Sequence, residues 1–274
     1  MGPEDAYGTV KCVAFASEAI AELHPRRVLD VGCGTGRMLT WPLAQAHPEA
    51  RFLGIDADAR SIDYARAACV APNLEFERLA ELPADRRFEL IIASEVIEHV
   101  EAPAAFLRDL RKWLAPGGRV VLTVPNGYGP SELASLAETL LALTGVLGLA
   151  RAVKRAFRPK REAAPVPRDT LAVSPHINFF SWGELQRTLA AAGLAPRRYR
   201  ARTLFCGFGF DFAIRSERAA RWNARVADRV PKRCVSGWMF VLEPNGPAAA
   251  EGEYRRGLVS RLRRRLNEKR WGLP

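Results

Sequence analysis

Missing from this chain of 274 residues is any apolar stretch long enough to cross a bilayer, which takes ~20 residues. The first ten residues carry Pro3, Glu4 and Asp5 and no apolar core, so no secretory leader is read there, and the myristoylation pattern is absent too. The five cysteines, Cys12, Cys33, Cys69, Cys206 and Cys234, are scattered, odd in number and without Cys-x-x-Cys spacing, which leaves them as reduced structural thiols. A cytoplasmic protein is expected. Acid is also short: 30 Asp and Glu against 41 Lys and Arg give a net charge of +11. Much of the excess lies in Arg151 to Arg168, Arg197 to Arg202 and Arg255 to Arg270, where an anionic membrane surface or nucleic acid competes with a plain solvated face.

What is present begins at Leu29. Residues Leu29 to Arg37 read Leu-Asp-Val-Gly-Cys-Gly-Thr-Gly-Arg: an apolar strand running into Gly32, Gly34 and Gly36. Three glycines there let the backbone turn sharply and approach a ligand with no Cβ in the way. The spacing is Gly-x-Gly-x-Gly, tighter than the dinucleotide fingerprint, and Asp30 precedes it. A carboxylate there repels pyrophosphate and suits a cationic amino acid, which argues against a nicotinamide dinucleotide. About 20 residues on, a second strand ends in Asp56, where a carboxylate can accept both ribose hydroxyls.

Periodicity gives an opening helix over Thr9 to Leu23, then alternating strands and helices, which predicts one α/β domain over residues 1–274 with a parallel sheet covered on both faces. Strands are expected at Val28 to Val31, Arg51 to Ile55, Leu74 to Arg78, Phe88 to Ala93 and Arg119 to Pro125. A helix over Pro103 to Trp113 stops at Ala115-Pro116-Gly117-Gly118, and another over Ser181 to Ala192 has a capping box from Ser181 and Glu184. Two further strands are expected at Thr203 to Phe212 and Val235 to Leu242. Two segments stand outside this core. Residues 131–168 read as an amphipathic helix with a basic end, fit to cap a site or lie on a membrane, and residues 250–274 read as a second basic amphipathic helix or tail.

After the fourth strand comes Ser94-Glu95-Val96-Ile97-Glu98-His99. If a helix begins here, Glu95, Glu98 and His99 at i, i+3 and i+4 share one face at the carboxyl end of the sheet, where open α/β folds bind ligands. Three readings stand: the trio holds a divalent metal, or His99 is a general base with its pKa raised by the carboxylates, or the residues only cap the helix and orient the glycine loop.

The glycine loop with its spaced Asp56 resembles motifs I and II of the class I S-adenosylmethionine-dependent methyltransferases, over roughly Val28 to Gly193. That resemblance implies a Rossmann-like, seven-stranded mixed sheet ending in an antiparallel strand, with the helical insertion after strand five. It also implies S-adenosylmethionine as cofactor, with Asp30, Gly32, Cys33, Gly34 and Gly36 at its methionine part and Asp56 at its ribose. Ala57, Ala80, Glu81 and Ser94 would line the same cofactor, and Lys11 would meet its carboxylate.

The Glu95 to His99 wording, the Pro-Gly-Gly turn, Thr123 to Asn126 and His176 to Ser181 further resemble the ubiquinone-biosynthesis O-methyltransferases. Carried over, Glu95, Glu98 and His99, with His176 reaching in, become candidate catalytic residues and ligands for Mg²⁺, Mn²⁺ or Zn²⁺, and Asn126 would line the substrate mouth. The implied activity is O-methylation of a hydroxylated, hydrophobic small molecule such as a quinol, a catechol or a lipid-linked acceptor, with the protein peripheral to the inner membrane face through its basic segments. The same Glu-x-x-Glu-His and downstream His also resemble small-RNA 3′-terminal 2′-O-methyltransferases. That alternative ranks second, because the basic residues flank an apolar segment and do not interleave with exposed aromatics. A scaffold that keeps the cofactor fold without turnover is the remaining alternative.

Overall fold

A computed structural model of the chain describes residues 3–146, 171, 174–206, 214, 216–248 and 254–272. Seven strands, β1 (Arg27–Val31), β2 (Arg51–Asp56), β3 (Leu74–Arg78), β4 (Phe88–Ser94), β5 (Leu114–Pro125), β6 (Leu194–Ala201) and β7 (Gly237–Pro244), form one sheet in the order β3-β2-β1-β4-β5-β7-β6. Neighbours from β3 through β5 pair in parallel, and β7 runs antiparallel between β5 and β6. This is the expected mixed α/β sheet, and its strand order reverses between β1 and β4. At such a switch point the loops leaving two neighbouring strands diverge and open a crevice at their carboxyl ends.

Alternation along each strand decides which helices cover which face. In β1, Val28 packs with Phe15, Ala16 and Ile20 of α1 (Pro3–Leu23), while Leu29 and Val31 join the opposite cluster. That second cluster holds Leu107 and Leu110 of α4 (Pro103–Lys112). It also takes Leu185 and Leu189 from the helix Trp182–Ala191. Each such fully buried side chain contributes about 1.5–3 kcal/mol of burial free energy. The site-bearing loops therefore hang from a rigid support. Between the strands run α2 (Thr40–Ala46) and α3 (Ala59–Ala68); α5 (Pro130–Leu143) follows β5, the helix Trp182–Ala191 is α6, and α7 (Glu217–Ala227) and α8 (Leu258–Trp271) are the last described helices.

Several expectations change. The sixth strand is Leu194–Ala201, not Thr203 to Phe212, whose residues 207–212 lie outside the described ones. β6 is an edge strand with a register shift between Pro196 and Arg198, where a proline without a donor is tolerated. The start of the 131–168 insertion is α5, and its basic run from residue 151 lies outside the described residues. The capping box at Ser181 is present: Ser181 Oγ accepts from the Glu184 backbone N–H, and Glu184 returns a bond at 2.8 Å. None of the five cysteines forms a disulfide. Among the described residues no helix is long and apolar enough to cross a membrane.

Candidate functional site

The glycine loop lies at the carboxyl end of β1, and its three glycines all have positive φ: +74° at Gly32, +54° at Gly34 and +71° at Gly36. Side-chain-bearing residues are strained there. Close packing adds a second demand, since a Cβ on Gly32 would come within 2.5 Å of Val96 and one on Gly36 within 2.5 Å of the Phe76 ring. Asp56, at the end of β2, holds the loop in shape: its carboxylate accepts the Gly34 N–H and the Asp58 N–H, both at 2.8 Å. Asp30 is 3% exposed and accepts from Thr40 Oγ1 at 2.6 Å. Burial raises its pKa to about 7; the Thr40 hydrogen bond works against this and the Asp56 charge adds to it. A cationic group would relieve that penalty, so the loop fits the α-ammonium of an amino acid. Cys33 sits in the same loop, its thiol directed to the Gly34 carbonyl at 3.6 Å. Ala57, Ala80 and Glu81 are exposed beside this end of the sheet, Glu81 pairing with Arg66 at 3.5 Å.

The turn after β4 departs from the expected helix. Glu95 takes a left-handed backbone, φ +57°, and residues 97–99 form a turn. The three side chains therefore do not share a helical face. Glu95 swings to Arg202, at 2.6 Å, and accepts from Thr123 Oγ1 at 2.7 Å, with Ser94 Oγ 3.0 Å from the same hydroxyl. Both of its oxygens are engaged, Oε1 with Thr123 and Oε2 with Arg202, and it is not among the groups whose ligand atoms converge. Glu98 and His99 turn the other way and meet His176.

These three groups bring ligand atoms within 4.8 Å of one another. Glu98 is fully buried, and neither of its carboxylate oxygens has a hydrogen-bond partner among the described residues. A buried carboxylate left unpaired is costly, and burial, with the Glu95 charge next, pushes its pKa up to about 8. Each histidine spends Nδ1 on an oxygen: His99 on the Pro175 carbonyl at 3.1 Å and His176 on Glu132 at 2.6 Å. A carbonyl and a carboxylate only accept, so both Nδ1 atoms carry protons and Nε2 faces the cluster. Those Nε2 atoms stand 3.9 Å (His99) and 4.0 Å (His176) from Glu98 Oε1. Imidazoles that turn one nitrogen inward while anchoring the other on oxygen are arranged as metal ligands are. An orphaned carboxylate between two such rings fits a divalent cation.

The pKa expectation for His99 reverses. Burial lowers it to about 4, and the neighbouring His176 pushes it the same way, so His99 is neutral at pH 7. Desolvation opposes a charged ring at His176 too, but the Glu132 carboxylate outweighs it and holds that pKa above the ordinary value. Two more expected site residues are occupied elsewhere. Lys11 donates to Asp228 at 2.9 Å and to the Ala224 carbonyl at 2.7 Å, between α1 and α7. Asn126 is 2% exposed, and its amide bonds the Arg233 and Val235 carbonyls and the Tyr128 N–H, so it ties the turn after β5 and does not line a substrate mouth.

Glu132, Arg202 and Thr123 were not among the site residues expected from the sequence. Glu132 is 4% exposed in the first turn of α5, and an acidic residue just after Pro130 gave only a helix-start signal.

An open, mostly parallel sheet with a glycine loop and an acidic residue at its switch point is the arrangement of an α/β fold that binds a nucleotide-type cofactor. The family model described as a methyltransferase domain matches residues 10–198, and the chain belongs to that family, the class I S-adenosylmethionine-dependent methyltransferases. A malonyl-[acyl-carrier protein] O-methyltransferase of Halalkalibacterium halodurans is 26% identical over 136 residues, 47% of this chain and 49% of that protein. A ubiquinone biosynthesis O-methyltransferase of Alkalilimnicola ehrlichii is 30% identical over 138 residues, 47% of this chain and 54% of that one. The chain spans about half the length of these curated relatives. PKMT2 of Rickettsia typhi shares the fold with a TM-score of 0.51 at 15% identity, over 84% of this chain and 51% of that one.

Proposed function

We propose that the chain methylates an oxygen of a hydroxylated, hydrophobic small molecule, with Glu98, His99 and His176 holding a divalent metal beside the acceptor. The observation that carries this reading is the convergence of two inward Nε2 atoms on a buried carboxylate that has no hydrogen-bond partner among the described residues. Its location supports the same view, because Val96, in the turn that carries Glu98 and His99, packs against Gly32 of the cofactor loop. Both curated relatives named above are O-methyltransferases by name.

In this reading Asp30 receives the cofactor's α-ammonium, and the φ-positive glycines bring backbone against its methionine part. Asp56 takes the ribose hydroxyls while keeping the loop closed through Gly34. Glu98, His99 and His176 fix one edge of the acceptor site, and Glu95 with Arg202 forms a neutral, buttressed neighbour. The metal would supply Lewis-acid stabilisation of the acceptor's oxygen charge. The acceptor gives up its hydroxyl proton to water, its oxygen takes the methyl carbon, and the C–S bond breaks to leave the neutral thioether S-adenosylhomocysteine. Alignment and exclusion of water contribute most of the acceleration in such a transfer.

The pairing of Glu95 with Arg202 takes one of the four candidate ligands from this reading and from the RNA reading alike. For the acceptor's setting, the exposed Leu258, Val259 and Leu262 of α8 beside exposed Arg255, Arg261 and Arg265 support contact with an anionic bilayer.

Calorimetry tests the proposal. S-adenosylhomocysteine is titrated into EDTA-treated protein, and Mg²⁺, Mn²⁺ and Zn²⁺ are titrated separately. Product binding together with a one-to-one metal isotherm that His99→Ala and His176→Ala each abolish is expected. Product binding with no metal isotherm would remove the metal, and turnover unchanged in both alanine variants would remove the assignment of the residues.

A further inference from the structure

The sequence presents residues 250–274 as a basic tail open to outside partners, yet much of its charge is turned inward. Arg263 is 4% exposed, and its guanidinium lies 3.8 Å over the Phe179 ring. It donates to Glu132 Oε2 at 2.7 Å, to the Glu132 carbonyl at 3.0 Å and to the Gly127 carbonyl. Glu132 uses its other oxygen to accept from His176 Nδ1 at 2.6 Å. A guanidinium, a carboxylate and an imidazole thus run in line from α8, through the first turn of α5, to the candidate metal cluster. The same helix reaches the segment again, with Asn267 donating to the His176 carbonyl at 3.0 Å. Just before it, Arg256 donates to Asn178 Oδ1 at 2.9 Å, while the Asn178 side-chain amide bonds the Ile97 and Val100 carbonyls around Glu98.

We infer that α8 is a positioning strap for the candidate metal site: Arg263 and Glu132 are positioning residues that fix the orientation and the Nδ1 proton of His176, so that Nε2 faces Glu98. The inference rests on the metal reading given above. α8 lies outside residues 10–198, the stretch that the family model matches, whereas Glu132 and His176 lie within it. The physical need is plain. His176 sits on a segment without regular secondary structure, its side chain is one-third exposed, and nothing in the 174–180 loop itself bonds its Nδ1. A ring so placed samples several rotamers unless a fixed acceptor selects one. Glu132 is that acceptor, and a carboxylate at 4% exposure stays ionised and fixed only with a buried cation beside it. Arg263 is that cation, and its several bonds to Glu132 and Gly127 hold Glu132 in one rotamer.

The test uses the full chain and two variants, Arg263→Met and Glu132→Leu, the second keeping bulk while removing the acceptor for His176. Three quantities are read: affinity for Zn²⁺ or Mn²⁺ by calorimetry, affinity for S-adenosylhomocysteine as a check on the cofactor half, and the NMR signal of the His176 Nδ1 proton in metal-free protein. Wild type is expected to give a downfield, exchange-protected proton that both variants lose. Their metal affinity is expected to fall about 10–100-fold, the usual effect of removing an outer partner of a ligating histidine, with product affinity within about twofold. Metal affinity within about threefold of wild type, or a Nδ1 proton that persists in both variants, overturns the inference. A parallel loss of product binding in both also overturns it, since α8 would then support the fold as a whole. If wild type binds no metal, the metal reading fails by itself, and the Nδ1 proton still decides whether the strap orients His176.

Discussion

Asp30 carries a consequence that a solution experiment can read without turnover. An acid whose pKa is raised on folding holds its proton more tightly in the folded chain than in the unfolded one, here at about 7 against an ordinary 3.8. Between those values the folded state carries the extra proton, so its stability falls as pH rises, by at most about 1.4 kcal/mol per pH unit, and levels off above pH 7. Glu98 shifts in the same direction, so the total slope mixes the two groups. Subtraction separates them. In cofactor-free protein, Asp30→Asn is expected to gain stability over wild type as pH rises from 5 to 7 and to keep a constant margin above that, measured by urea unfolding. Curves for the two proteins that stay parallel across this window would show that burial does not hold the Asp30 proton. Saturating S-adenosylhomocysteine should flatten the wild-type curve, because an ammonium beside Asp30 favours its charged form.

At the scale of the element, α8 has two faces with different work. Its inner residues, Ser260 and Arg263, are buried, and Arg264 reaches Glu101 with both nitrogens, at 2.6 and 2.8 Å. Its outer side leaves Leu258 78% exposed and Leu262 60% exposed, beside Arg261 and Arg265. If that side meets anionic lipid, Leu258→Ser with Leu262→Ser should reduce sedimentation with phosphatidylserine vesicles several-fold and leave product affinity unchanged. Binding to those vesicles should fall as salt rises. Equal sedimentation of the double variant would end the lipid reading.

The same helix illustrates what a sequence can carry. Its amphipathic pattern was legible, but the partners of Arg263 were not, since Glu132 lies 131 residues away and pairing over that distance leaves no local signal. The five parallel strands and the capping box at Ser181 were legible because periodicity and turn chemistry are local. β6 was not, because Arg197, Arg198 and Arg200 break its alternation and an edge strand buries little. The Glu95 to His99 spacing read as a helical face only on the assumption of a helix, and the left-handed Glu95 backbone, held by Thr123 and Arg202, ends that assumption. The glycine loop was the opposite case. Positive φ at three positions and contacts that exclude a Cβ restrict the residue type so tightly that chemistry and conformation are written together.

Over the whole molecule, the two half-sites meet where Val96 lies against Gly32. The cofactor loop hangs from β1 and β2, and the candidate metal cluster from β4 and the 174–178 segment, with Val96 packed on Gly32 between them. Gly32 donates its N–H to the Ile55 carbonyl, which ties the loop to the rigid sheet, so a shift of the β4 turn cannot be absorbed by the loop alone. Ordering of the cluster by a metal should therefore favour the loop geometry that binds cofactor, and cofactor should favour the metal to the same degree, because the coupling free energy between two ligands is shared. Calorimetry of S-adenosylhomocysteine with and without saturating metal, and of metal with and without product, is expected to give equal factors, of about fivefold or more, on the two sides of the cycle. Val96→Ala removes the methyl groups that press on Gly32 while leaving Asp30, Asp56 and all three cluster side chains in place. In that variant each ligand should still bind alone, and the factor should fall toward one. A factor of one in the wild type would mean that the two half-sites act independently, and an unchanged factor in Val96→Ala would mean that the coupling runs through the sheet instead of through this contact.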